Sequence, residues 1–160
     1  DKDAVVATMA LCEAVAYYKT KGMSLWDKMT EMYERYGYWL DGVQAITLKG
    51  KEGIEKIQNT IEKLRQQVPT EINGYKVLSA RDYKLDTVKN METGEVTGTG
   101  LPKSNVLSYS LADGGAVIVR PSGTEPKIKL YLTSVGKTRE ESLALCDKLG
   151  KDMETKLGLL

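Results

Sequence analysis

The 160-residue sequence contains no histidine. That removes the commonest general base, any His-based triad and imidazole metal ligation from what these residues can do. Cysteine is scarce as well. Cys12 and Cys146 stand far apart in helix-like apolar patterns, and two such thiols make no disulfide framework but read as buried, reduced cysteines of a cytoplasmic protein. An excess of one charge is also missing, because 23 Lys and Arg against 22 Asp and Glu leave a net charge of +1. A protein that follows a nucleic-acid backbone carries a basic excess or stripe, so no nucleic-acid partner is expected and any anion site must be local. Nor is there a long apolar run. The stretch from Ala4 to Tyr18 is broken by Thr8 and Glu13 and is too short to span a bilayer. Asp1 and Asp3 stand where a signal peptide would carry basic residues, and no membrane partner is expected.

What is present suffices for a compact domain. The chain is 41% hydrophobic and 28% charged, which allows a buried core and a solvated surface. Asp3 is a candidate N-cap for a first helix whose apolar residues (Val5, Met9, Leu11, Val15 and Tyr18 among them) cover most of its circumference. Such a helix wants burial on several sides, and the chain therefore reads as a fragment of a longer protein. Gly22 stops it; Ser24 with Asp27 forms a capping-box pattern, and Leu25, Met29, Met32 and Tyr36 make a helical stripe up to Gly37. Residues 1–40 thus read as a helical hairpin, and 41–160 as a separate domain.

In that domain Val43 to Leu48 suggests a strand. Ile54, Ile57, Ile61, Leu64 and Val68 recur at helical spacing until Pro69. Asn73-Gly74 marks a turn before a strand over Tyr75–Tyr83, and residues 84–103 are polar enough to read as one long surface loop. Val106–Leu111 and Ala116–Arg120 flank Asp113-Gly114-Gly115 as a hairpin. Ile128, Leu130 and Leu132 alternate with Lys127, Lys129 and Tyr131 as a half-buried strand, and Thr138 with Glu141 forms a second capping-box pattern that opens a last helix. Consecutive strands with short turns imply antiparallel pairing, and flanking helices imply an α+β layer with one sheet face left open.

The segment Arg120-Pro121-Ser122-Gly123-Thr124-Glu125-Pro126-Lys127 joins two of these strands. It has the makings of an anion cup. Ser122 and Thr124 bring hydroxyl donors, Gly123 permits a tight turn with backbone N–H groups presented, and Arg120 brings a planar fork for two oxygens. Lys127 and Lys129 share one strand face and can add charge. An ordinary hairpin loop beside two solvated lysines would have the same composition, and spacing by itself leaves both readings open. Asp82, Asp86 and Glu92 lack defensible ligand spacing and read as solvated charges. The aromatic cluster around Trp26 and Trp39 reads as helix packing or as a contact to a severed domain.

RPSGTEPKIKLY, from Arg120 to Tyr131, closely resembles the C-terminal phosphate-binding loop of the α-D-phosphohexomutases. LPKSNV, from Leu101 to Val106, is similar to the approach to that domain's hairpin in long bacterial phosphoglucomutases, and Asp1 to Tyr38 is similar to the last helices of their third domain. The resemblance implies an antiparallel four-stranded sheet with helices on one face, the TATA-binding-protein-like final domain of these enzymes, preceded by a remnant of the third. It implies a cytoplasmic isomerase that interconverts sugar 1-phosphate and sugar 6-phosphate, such as glucose 1-phosphate and glucose 6-phosphate, through glucose 1,6-bisphosphate. It further implies that Arg120, Ser122, Gly123 and Thr124, with Lys127 and Lys129, grip the phosphate that is not reacting. Many relatives carry an Arg on the following strand where this chain has lysines, which keep charge but lose the bidentate fork. No TASHNP-like phosphoserine loop, DGDxDR-like magnesium loop or GExSGH-like sugar-reading segment is present. The resemblance therefore implies no catalytic residue, metal ligand or cofactor here, with magnesium and a sugar bisphosphate belonging to the complete enzyme. A stand-alone anion-binding or protein-interaction module is the alternative.

Overall fold

A computed structural model describes residues 2–112, 114–123 and 125–158. The chain divides into two compact units, Asp1–Tyr38 and Trp39–Leu160. In the first, α1 spans Ala4–Lys19 and starts where Asp3 Oδ1 accepts the Val6 N–H at 3.0 Å. Gly22, at φ +69°, reverses the chain. α2 spans Leu25–Tyr36 and is opened by a complete capping box, Ser24 and Asp27 each bonding the other's backbone N–H. Val5, Val6, Met9 and Leu11 are all more than half exposed.

In the second unit the described strands form one eight-stranded sheet ordered β1-β8-β7-β6-β3-β4-β5, with β2 beside β3. The strands are β1 (Tyr38–Thr47), β2 (Glu71–Ile72), β3 (Tyr75–Asp82), β4 (Thr87–Asn90), β5 (Val96–Thr97), β6 (Leu107–Leu111), β7 (Ala116–Pro121) and β8 (Lys127–Gly136). Two helices, α3 (Gly50–Gln66) and α4 (Arg139–Leu157), pack against β7 and β8. The period of two sorts the sheet: Val117, Val119, Ile128, Leu130 and Leu132 are essentially inaccessible, whereas their neighbours Ile118, Lys129 and Tyr131 lie half-buried on the other face. Ile57, Ile61 and Leu64 of α3 and Leu149 and Met153 of α4 close the core against the first set. Each such side chain contributes about 1.5–3 kcal/mol by leaving water.

The α+β architecture, the antiparallel pairing and the placement of all four helices agree with the sequence reading. Three points are corrected. The sheet has eight described strands rather than four. Residues 84–103 are not one loop, because β4 and β5 pair there as a hairpin, Val88 opposite Thr97, on the outer side of β3. Asp82 is not a solvated charge; it is 8% exposed and its carboxylate accepts from Arg65 Nε at 2.8 Å. β6 and β7 form the expected hairpin, with Gly114 at φ +88° in the turn, while Asp113 lies outside the described residues. At α4, Thr138 Oγ1 accepts from the Glu141 N–H as expected, but the returning carboxylate takes the N–H of Lys137.

Close packing makes one helix glycine obligatory. A Cβ on Gly53 would lie 2.7 Å from Leu48 Cβ and 3.1 Å from the Leu48 carbonyl carbon. In an open helix Gly→Ala gains up to about 1 kcal/mol; here Gly53→Ala is expected to lower the urea midpoint, and a raised midpoint would contradict this packing. The cysteines divide the same way. The expected burial holds for Cys146 alone, which lies against Gly42 and whose thiol pKa burial pushes up; Cys12, on a helix face left uncovered within its unit, is exposed. Since the thiolate is the reactive form, a thiol reagent is expected to label Cys12 promptly and Cys146 only on unfolding. Equal labelling rates would refute that difference.

Candidate functional site

The sheet's open face acquires its chemistry at the turn between β7 and β8. Arg120 ends the regular part of β7 and stands directly opposite Lys129 on β8. Ile118 stands opposite Tyr131 one step further along the same face. Like charges directly opposed in an antiparallel pair destabilise it. Neither Arg120 nor Lys129 has an acidic partner among the described residues, so the register places two uncompensated cations side by side.

The turn closes over them through its own hydrogen bonds. Ser122 N–H donates to the Lys127 carbonyl at 2.7 Å, Glu125 N–H to Ser122 Oγ at 3.2 Å, and Lys127 N–H to the Glu125 carbonyl at 2.7 Å. The loop is also anchored from outside, because Leu48 N–H, just beyond β1, donates to the Pro126 carbonyl at 2.9 Å. The result is a small polar hollow of about 290 Å³ bounded by Arg120, Pro121, Ser122, Gly123, Glu125, Lys129 and Tyr131. Its size suits a tetrahedral oxyanion and part of the group that carries it.

The structure thus brings Arg120, Ser122, Gly123 and Lys129 together. Lys127 does not line the hollow; its Nζ lies 3.5 Å from Glu125 Oε2. Thr124 lies outside the described residues. Gly123 does not adopt a left-handed backbone, and a Cβ there would meet nothing within 4 Å. The turn therefore does not require a left-handed glycine at this position. Sequence reasoning did not single out Glu125 or Tyr131. Tyr131 is two residues from Lys129 and so shares its strand face, a signal the alternation already contained. Glu125 has no such signal, since its direction depends on the turn geometry. Its exposed carboxylate lies at the rim of the hollow, 3.5 Å from Lys127 Nζ.

Fold and site together define an α+β domain that carries a local cationic cup on the open face of an antiparallel sheet. The chain belongs to the phosphoglucomutase/phosphomannomutase C-terminal-domain family, whose model matches residues 64–145 and includes the cup. Among curated relatives it is 35% identical over 133 residues to a phosphoglucomutase of Staphylococcus saprophyticus, covering 83% of this chain and 24% of that protein. It is 38% identical over 133 residues to a phosphoglucomutase of Staphylococcus aureus, with the same coverage. The chain therefore spans about a quarter of the length of the curated relatives it matches. A crystal structure of the Paramecium exocytosis-sensitive phosphoprotein pp63/parafusin, a phosphoglucomutase in its open form, shares the fold. That match has a TM-score of 0.62 at 19% identity and covers 99% of this chain and 28% of the other.

Proposed function

We propose that this chain is the phosphate-gripping end of a phosphoglucomutase- or phosphomannomutase-type enzyme that interconverts sugar 1-phosphate and sugar 6-phosphate. In this reading the cup holds the phosphate that is not reacting, on the substrate and on a sugar bisphosphate intermediate. Glucose 1-phosphate, glucose 6-phosphate and glucose 1,6-bisphosphate are the ligands suggested by the phosphoglucomutase relatives. The observation that carries the reading is the direct pairing of Arg120 with Lys129. Two facing cations cost stability unless an anion sits between them, and a phosphate dianion with oxygens to share relieves that cost.

Each group has a distinct part. Arg120 offers parallel N–H donors to two oxygens, and Lys129 adds a point charge without directional demand. Ser122, which lines the hollow, is assigned a third oxygen, and Gly123 is assigned to the mouth through which the ligand enters. Lys127 joins only if it leaves Glu125. Thr124 is assigned to the grip by its place in the family motif alone. Proton and phosphoryl transfer fall to other segments of the enzyme. No group of three or more Asp, Glu or Cys side chains among the described residues could hold a metal ion. The family resemblance assigns magnesium to another segment of the enzyme, and no step here is routed through it. Residues 1–40 are assigned as the end of the preceding mutase domain and 41–160 as the final one. A cytoplasmic location belongs to the same proposal; no described helix is long and apolar enough to cross a membrane.

The test is a titration of the chain with inorganic phosphate and with glucose 1,6-bisphosphate, followed by amide NMR. Saturable shifts confined to residues 120–131 are expected, with a dissociation constant on the order of millimolar, or about 4 kcal/mol. No shift at tens of millimolar ligand would defeat the cup as an independent grip. The same preparation is expected to show no mutase turnover, since the nucleophile and the metal-held charge that phosphoryl transfer requires are not supplied here. Turnover above background would overturn that division of labour.

A further inference from the structure

β2 and β3 are joined by a two-residue hairpin, Asn73-Gly74, that sets Ile72 opposite Tyr75. Such a turn needs positive φ at both central residues. Asn73, at φ +48°, and Gly74, at φ +80°, meet that need, and asparagine is one of the few residues other than glycine that takes this conformation readily. The turn is tied down at one point. The Asn73 N–H donates to Asp152 Oδ2 on α4 at 2.8 Å, and Asp152 is itself paired with Lys156 Nζ at 2.9 Å. β2 thereby lies against α4, with Ile72 fully buried in the core.

The pair of residues that suits this turn is also chemically labile. An asparagine carboxamide can be attacked by the backbone nitrogen of the next residue, and only glycine leaves that nitrogen with no side chain beside it. Of the asparagines Asn59, Asn73, Asn90 and Asn105, only Asn73 precedes a glycine. The others are restrained as well. Asn59 lies inside α3, Asn90 Oδ1 accepts from the N–H groups of Glu92 and Thr93, and Asn105 Oδ1 accepts from Arg65 Nη2. Neither the Asn73 carboxamide nor the Gly74 N–H has a hydrogen-bond partner among the described residues. Gly74 is exposed, with open space where a Cβ would stand.

We propose that Asn73 is a site of spontaneous deamidation whose isoaspartate product releases the β2–β3 turn from α4. Gly74 N, once hydroxide has taken its proton, bonds to Asn73 Cγ. The Cγ–Nδ2 bond breaks, and the nitrogen leaves as ammonia with a proton taken from water. The resulting succinimide consumes one water molecule. Opening at the side-chain carbonyl gives aspartate, and opening at the main-chain carbonyl gives isoaspartate, with no oxidation or reduction at any step. Isoaspartate carries the chain through Cγ and so adds a backbone atom to a turn of two residues, which breaks the register of Ile72 with Tyr75. Either product also puts a negative charge on the residue whose N–H Asp152 holds, and like charges repel. Ring closure requires the Asn73 peptide to rotate out of its left-handed conformation. The hairpin and its bond to Asp152 restrain that rotation, so the fold sets the pace of the reaction.

The experiment incubates the folded chain, and a free peptide of residues 70–77, in mildly alkaline buffer. Peptide mass spectrometry and enzymatic methylation of isoaspartyl groups then measure the products at each asparagine. Conversion at Asn73 is expected to outpace that at every other asparagine by roughly tenfold or more, because glycine alone leaves the attacking nitrogen bare. It should run more slowly in the folded chain than in the peptide. Asp152→Ala, which unties the turn, should speed it severalfold towards the peptide's rate. The isoaspartate form should lose amide-exchange protection at Val77, whose N–H donates to the Thr70 carbonyl at 2.9 Å. Asn73→Asp, which has the charge without the added atom, should lose less. The proposal is overturned if Asn73 stays wholly an amide long after the peptide has converted, or if Asp152→Ala leaves the folded rate unchanged. It is equally overturned if the isoaspartate form keeps the protection of the unmodified chain.

Discussion

Arg120→Ala is expected to abolish detectable phosphate binding by this chain while leaving its thermal midpoint unchanged or slightly raised. The loss follows from what the guanidinium supplies. Hydrogen bonds to a charged group contribute about 1.5–3 kcal/mol, so removing the fork weakens a millimolar site roughly ten- to a hundredfold. The unchanged or raised midpoint follows from the register, because Arg120 is exposed and faces Lys129 and its removal relieves a like-charge pair. Isothermal titration and a thermal melt on the same protein check both halves. Arg120→Lys is the informative intermediate, since charge without the fork should recover only part of the affinity. Full affinity in Arg120→Ala would show that the two cations are not the grip. A large drop in midpoint would show that Arg120 is structural.

The second large effect is on stability. Asp82→Ala is expected to destabilise the second unit by about 1.5–3 kcal/mol, because Arg65 keeps Glu62 Oε1 at 2.8 Å as an ion-pair partner but loses its buried acceptor. Arg65 has a side chain only 5% exposed and that of Asp82 is 11% exposed, so water cannot replace the lost partner. The same carboxylate caps the turn after β3 by accepting from Lys84 N–H at 2.9 Å and Leu85 N–H at 3.3 Å. Its loss therefore also loosens the path into the β4–β5 hairpin. The thermal midpoint should fall by roughly 5–10 °C. Replacing both partners by apolar residues, Arg65→Met with Asp82→Leu, should recover part of the loss. A drop of only a degree or two in Asp82→Ala would mean that the pair is solvated and carries little.

How far these features were legible in the sequence depended on range. α1 to α4 were legible because their caps and apolar stripes are local: Asp3 with Val6, Ser24 with Asp27, and the Ile57, Ile61, Leu64 series. The strands that carry the core were legible from alternation, most plainly Ile128, Leu130 and Leu132. β4 and β5 were not. As outer strands they bury little, and every residue from Thr87 to Asn90 is half-buried or exposed, so no apolar period marks them. Their order comes from polar side chains bonding backbone. Asn90 Oδ1 accepts from the N–H groups of Glu92 and Thr93, and Asp86 Oδ1 accepts from Thr99 N–H. Composition alone reads such residues as a solvated loop. Asp82 was misread for a related reason, since its partner lies 17 residues upstream on a helix. The cup was legible as a set of donors. What made it a site, Arg120 facing Lys129 while Lys127 turns to Glu125, is register and turn geometry, and neither is written in residue types.

The position of β1 at one edge of the sheet has a consequence for how the domain is made. β1 spans Tyr38–Thr47, and its only neighbour in the sheet order is β8, Lys127–Gly136. A ribosome delivers the chain from its N-terminus at about 5–20 residues per second, so β1 waits several seconds for its neighbour while α3 and the middle strands emerge. During that interval β1 is a bare strand with Trp39 and Val43 exposed on one side, the kind of edge that invites pairing with another nascent chain. The cup arrives with the partner that ends the wait. A chain stopped before β8 would therefore keep Arg120 but lose the Lys129 that faces it, and leave β1 unpaired at the same time.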